Sequence, residues 1–383
     1  GGGGGEPGPG PGPGPEPSPN PTPTVTPPGP GGNGTEQWNM TYGGPDFDAA
    51  YSVRSSGSGY VLAGSTNGDA SMIFTDNSGN QLSNRTFGGP GFDKANQITS
   101  AQDGFVLAGL TSGVSQDAWL IKTDNTGNES WNKTYGGEGS EEATAVIRIT
   151  GGATFILAGY TDSYGNGSAD AWLVKTDSNG TIQWNKTFGG ADNDSARAIS
   201  QTQDGGFVIA GETYSYGAGN GDAWLIKTDA NGSEQWSRTF GGTGFDAIYS
   251  VNLTQGGYIL AGETRSYGDV NGDAWLIKTD MNGSEQWNRT YGGPDREYAR
   301  SLKQAGTGFL LAGARYDGPT SNALLIRTDI NGSEQYNRTY GGSENDIAYS
   351  IQANLDNSII LAGSTASYGS GSEDAWLIRI GGS

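Results

Sequence analysis

The sequence predicts an all-β fold: a seven-bladed β-propeller with four antiparallel strands per blade, closed by the N-terminal strand joining the last blade. Three observations predict it. A unit of about fifty residues recurs seven times, each copy holds four short strand-like segments, and the copies are out of phase with the ends of the chain.

The unit is marked by an aromatic residue followed by two glycines. The markers are Tyr42-Gly43-Gly44, Phe87-Gly88-Gly89, Tyr135-Gly136-Gly137, Phe188-Gly189-Gly190, Phe240-Gly241-Gly242, Tyr291-Gly292-Gly293 and Tyr340-Gly341-Gly342, spaced by 45, 48, 53, 52, 51 and 49 residues. Between markers the same four segments follow in order. The first opens on an acid (Asp246-Ala247-Ile248-Tyr249-Ser250-Val251), and the second is an apolar run ending in Ala-Gly (Tyr258-Ile259-Leu260-Ala261-Gly262). The third is Ala274-Trp275-Leu276-Ile277-Lys278-Thr279 and the fourth Gln286-Trp287-Asn288-Arg289-Thr290-Tyr291. Short runs rich in β-branched and aromatic residues, bounded by Gly, Asn and Asp, read as strands. The second and third are almost continuously apolar, which suits strands buried on both faces.

Phase decides how the ring closes. The repeat begins with a lone fourth segment at 37–42 and ends after a third segment at 375–380. The N-terminal strand must therefore complete the last blade, leaving no open sheet edge at the seam. Asp-x-Asn-Gly at 177–180, 229–232, 280–283 and 329–332 supplies the turns between third and fourth strands. There Asp caps backbone N–H groups and Gly provides positive φ. Ahead of the propeller, residues 1–35 form a Gly/Pro-rich stalk, with 12 of the 16 prolines in the first 34 positions. Such a stretch buries nothing apolar and is expected to be a solvated, polyproline-like spacer.

Composition narrows the function. With no cysteine there is no disulfide framework or thiolate, and with no histidine there is no Ser-His triad or imidazole metal site. Acids outnumber bases 41 to 21 for a net charge of −20, which disfavours nucleic acid as a partner, and no apolar run is long enough to span a membrane.

Two resemblances extend this reading. The run Asp124-x-x-Gly127-x-x-x-Trp131 resembles the tryptophan-docking repeat of pyrroloquinoline-quinone-type propellers, in which the Trp packs on the neighbouring blade. Trp38, Trp184, Trp236 and Trp287 fill the same slot, with Ser83 and Tyr336 in the other two. The quinone chemistry is not carried over, because neither adjacent cysteines nor its calcium site is identifiable. Over residues 36–380 the whole unit, with Thr-Tyr-Gly-Gly and Asp-Ala-Trp-Leu-Ile-Lys-Thr-Asp, is similar to the seven-bladed repeats of secreted cell-surface proteins, abundant in methanogenic archaea and some bacteria. That similarity implies an extracellular, surface-tethered protein and no defined reaction.

Candidate sites lie on the face formed by the loops before first strands and those between second and third strands. Four residues past each marker stands an acid: Asp48, Asp93, Glu141, Asp194, Asp246, Glu297 and Asp346. Each either caps its own Gly-Gly turn or joins a carboxylate ring at the mouth of the channel. The Ser-Tyr-Gly loops present Tyr164, Tyr216, Tyr267 and Tyr368, rings suited to stacking on sugars or proteins. Asp269, Asn271 and Asp273 have the spacing closest to a calcium loop, so Ca2+ is the one cofactor the pattern admits. Asn-x-Ser/Thr sequons are dense. Those at Asn128, Asn179, Asn231, Asn282 and Asn331 fall in turns, and those at Asn39, Asn132, Asn185, Asn288 and Asn337 in fourth strands.

The sequence thus reads as a non-catalytic extracellular surface protein, serving adhesion, an envelope or matrix, or an extracellular assembly. Its expected partners are other surface proteins, copies of itself or surface glycans. The alternatives are a calcium- or carbohydrate-binding module and, behind it, a carboxylate-based glycosidase or lyase. An enzyme would break the repeat with a unique acid pair. The sixth blade departs most, through Arg315, Tyr316, Pro319 and Asn322, and gains no such pair.

Overall fold

The computed structural model describes residues 34–149 and 151–381. Residues 1–33 of the expected stalk lie outside them. The chain folds into seven four-stranded antiparallel sheets, each in the order first, second, third, fourth strand. Blades one to six begin at Asp48, Asp93, Glu141, Asp194, Asp246 and Glu297. Blade seven combines Asp346–Ala353, Ile359–Thr365 and Asp374–Ile380 with the N-terminal strand Glu36–Tyr42. Its edge is closed by pairing such as Asn39 with Ile378 and Tyr42 with Ala375. Even its last turn is split between the chain ends, for the Gly381 amide donates to the Thr35 carbonyl at 2.9 Å.

Apolar second and third strands make the core. There are seven buried clusters, and each spans two adjacent blades. One joins Leu225 and Phe240 of blade four to Val251, Tyr258, Leu260 and Trp275 of blade five. Another joins Leu377 and Tyr42 of blade seven to Val53 and Leu62 of blade one. A single blade has no core of its own, so stability comes from stacking neighbours around the ring.

Aromatics from fourth strands lock the neighbours together. A side chain added at Gly180, Gly232, Gly283 or Gly332 would meet, at 2.5–2.8 Å, the ring of Trp131, Trp184, Trp236 or Trp287 from the preceding blade. Blade one lacks the Trp and solves the problem differently. Phe74 on the third strand, paired in register with Ser83, supplies the ring against Gly127 of blade two.

The innermost strands carry the detail that shapes the channel. Each has a β-bulge three residues past its acid, between Ile248 and Ser250 in blade five and at the equivalent place in every other blade. The glycine that ends each Ala-Gly marker lies opposite. A Cβ on Gly262 would stand 1.8 Å from the Ala247 carbonyl, so only glycine lets the bulge form.

Candidate functional site: the loop face and the central channel

All seven repeated acids open innermost strands and all are buried, at 0–1% exposure. Each carboxylate accepts from the amide of its marker's second glycine. The distances are 2.8 Å for Gly44 to Asp48, 2.9 Å for Gly89 to Asp93, 3.0 Å for Gly137 to Glu141 and 2.9 Å for Gly190 to Asp194. They are 3.0 Å for Gly242 to Asp246, 3.4 Å for Gly293 to Glu297 and 2.8 Å for Gly342 to Asp346. In four blades the Thr at the end of the second strand donates to the same group, as Thr161 does to Glu141 at 2.7 Å and Thr264 does to Asp246. Ser215, Ser266 and Ser367 add a hydroxyl at 2.5–2.6 Å. The carboxylate is thus the knot tying the Gly-Gly turn to the Ser-Tyr-Gly loop. None of the seven lines the central cavity.

Their charged neighbours come from the preceding blade rather than from each other. A Cβ on Gly189 would meet Asp170 at 2.0 Å and Asp194 at 2.6 Å, and one on Gly292 would meet Asp273 at 2.1 Å and Glu297 at 2.8 Å. Third-strand and first-strand carboxylates therefore sit side by side at these blade junctions. Burial, more than the neighbouring charge, raises the carboxyl pKa of Asp48, Asp170, Asp222, Asp273 and Asp374. Glu297 is pushed to about 7 by burial, against the opposing pull of the Gly293 amide and Arg315. The Asp273 Oδ1 atom is buried without a hydrogen-bond partner.

The four tyrosines are tied down too. The hydroxyls of Tyr164, Tyr216, Tyr267 and Tyr368 donate to the carbonyls of Gly136, Gly189, Gly241 and Gly341 at 2.8–3.0 Å. One side of each ring rests on a third-strand Trp, with centroids 5.7–5.8 Å apart. Asp269, Asn271 and Asp273 do not converge on a point. Asp269 Oδ1 accepts from the Asn271 amide, the Asn271 side chain donates to the Pro294 carbonyl, and Asp273 Oδ2 accepts from the Asp269 amide. Among the described residues no cluster of three or more acids could hold a metal ion. Asn128, Asn179, Asn231, Asn282 and Asn331 are exposed at the end opposite the loop face, and Asn132 and Asn185 are exposed on outer strands. Asn288 and Asn337 are half-buried, whereas Asn39 is buried and donates to Glu36.

The central channel is the feature that the repeat pattern hides. The seven bulge residues, Tyr51, Asn96, Thr144, Arg197, Tyr249, Arg300 and Tyr349, line a cavity of about 560 Å3 on the ring axis. Here the blades stop agreeing. The signal was present in the sequence as a first-strand position, three past each acid, where Tyr, Asn, Thr and Arg replace one another beside a small or apolar residue.

Comparison with known proteins bears on the fold. No family model matches the chain. Over 141 residues, 33% of this chain, it is 28% identical to the regulatory protein FlaEY of Caulobacter vibrioides, and it covers 14% of that protein's length. Its fold resembles Sqt1 of Chaetomium thermophilum. In the structure bound to the N-terminus of ribosomal protein L10 the TM-score is 0.50 at 12% identity, covering 88% of this chain and 97% of that one. A second Sqt1 structure gives 0.50 at 11% identity, covering 88% and 96%. At these identities the likeness is one of fold alone.

Proposed function

We propose that this chain is the non-catalytic propeller of an exported, surface-displayed protein, and that its loop face is where it meets other proteins or further copies of itself. The observation that carries this reading is the division of labour on that face. The seven repeated carboxylates and the four loop-tyrosine hydroxyls are bonded inward, which leaves ring faces and apolar groups, rimmed by exposed acids such as Asp46 and Glu138, as what the face offers. Phe47, Phe92, Val114, Tyr214 and Val270 are all exposed there, beside the outer sides of Tyr164, Tyr216 and Tyr267. Aromatic and aliphatic groups gathered on a rigid frame suit protein contact. A propeller of similar fold holding the N-terminus of another protein is consistent with such a partner. The exposed turn sequons lie at the opposite end and would carry their glycans away from the contact face.

Protease shaving of intact host cells, followed by mass spectrometry, tests the reading. Propeller peptides should be released without lysis, with glycans on Asn179 or Asn282. Recovery only from lysed cells, with every sequon bare, would overturn it.

A further inference from the structure

Going beyond that reading, we infer that the central channel binds a small polyvalent oxyanion (a phosphate, a sulfate or a di- or tricarboxylate) held by Arg54, Arg300 and Lys303. The first ground is charge. The chain carries a net −20, yet five of the six charged residues lining the channel are basic, and Glu142 is the sole acid among them. Two of the five have a partner: Lys94 pairs with Glu142 at 2.8 Å and Arg197 with Glu212 at 2.6 Å. Among the described residues, Arg54, Arg300 and Lys303 have no carboxylate within 4.0 Å.

The second ground is that the two guanidiniums are held in place. Arg54 Nε donates to the Ile98 carbonyl at 3.1 Å, which fixes the side chain and, among the described residues, leaves its terminal nitrogens without a protein acceptor. The Arg300 guanidinium lies over Tyr249 and Tyr298, 4.8 and 5.2 Å from the ring centroids. Planar guanidiniums fixed in this way are suited to bidentate oxyanion recognition. Arg54 and Lys303 both stand six residues past their acids, at the same level of the channel, and the equivalent residues (Thr99, Ile147, Ser200, Asn252 and Gln352) are uncharged. Burial first and the Arg54 charge second pull the Lys303 pKa down to about 8, as expected of neighbouring cations lacking a counterion. A second recess of about 460 Å3 shares Lys303, Ile147, Ser200 and Asn252 with the channel and adds Arg148, so the positive wall continues toward the far opening.

The third ground is room. A cavity of about 560 Å3 accepts a phosphate or a citrate together with bridging water. A repulsive cluster of cations becomes favourable once an anion enters it.

Calorimetric titration of the full chain at pH 7 with sodium phosphate, sodium sulfate and sodium citrate, each against sodium chloride at matched ionic strength, tests the site. The expected result is one saturable site for at least one of the three, and the arm that binds names the oxyanion. Lys303→Met should weaken it about tenfold or more, the scale of one lost charge-assisted contact. Lys186→Met, on an exposed outer strand, should leave it unchanged. If Lys303→Met fails to fold, Arg300→Gln at an exposed channel position makes the same test. No saturable binding by any of the three, or equal affinity in the channel variants, would overturn the proposal and leave the loop-face reading untouched.

Discussion

Glu297 illustrates what the repeated acid does. It stands where the sequence places an acid in every blade, and it is buried against its own Gly-Gly turn beside Asp273 of the preceding blade. Its position was legible from spacing alone. The junction partner was not, because two acids far apart in the repeat become neighbours only once the ring brings one blade's third strand against the next blade's first. The energetic sign follows from the direction of the shift. A carboxyl whose folded pKa is raised contributes stability that is fully present below its unfolded pKa and lost as pH climbs through the folded value. For Glu297 that window runs from about 4.5 to about 7, and Asp48, Asp170, Asp222, Asp273 and Asp374 shift in the same direction. Asp204 opposes them at the acid end. The Lys227 side chain holds it near 2, so its contribution disappears as pH falls through that value. The unfolding midpoint should therefore rise as pH is lowered from 8 to about 5, with Glu297→Gln removing about 2–3 kcal/mol of that dependence. Denaturant titrations at a series of pH values measure it. A midpoint that falls steadily over this range, or an unchanged slope in the variant, would contradict the assignment.

At the scale of the element, the turn and the docked tryptophan form one device shared by two blades. The fourth-strand Trp was readable as a repeated slot, and its packing on the next blade's turn glycine follows from the ring geometry. What the pattern concealed was blade one. Counting along the period puts Ser83 in the slot, whereas strand pairing puts Phe74 beside it and restores the aromatic from a different strand. The bulges were concealed for a related reason, since period-2 alternation gives no sign that one residue has been added until the facing glycine is seen to leave room for it. A pair of substitutions separates docking from backbone strain. Gly283 and Gly256 have nearly equal φ, 77° and 76°. Only Gly283 has Trp236 2.5 Å from where a Cβ would stand, while Gly256 has open space. Both Gly→Ala changes incur the left-handed backbone cost of order 1 kcal/mol, but Gly283→Ala should lose at least about 1 kcal/mol more by displacing the ring. Equal losses in chemical denaturation would mean that Trp236 is not a structural lock.

On the scale of the whole molecule, the repeat builds and the departures from it bind. Closure by the N-terminal strand was readable from phase because a lone fourth segment at one end and a missing one at the other leave a single arrangement without a free edge. The regular features are all engaged in holding this ring: acid to turn, tyrosine to glycine carbonyl, tryptophan to neighbouring blade. The channel is lined by positions where blades differ, and its surplus of positive charge runs against a strongly acidic chain. Net charge gave no sign of this, because it averages over the surface and conceals a local inversion of sign on the axis. A crystal structure determined from a solution containing both phosphate and calcium tests this division most directly. It should place an oxyanion among Arg54, Arg300 and Lys303, with the seven turn carboxylates still accepting from their glycine amides. Calcium bound at those carboxylates above an empty channel would contradict it.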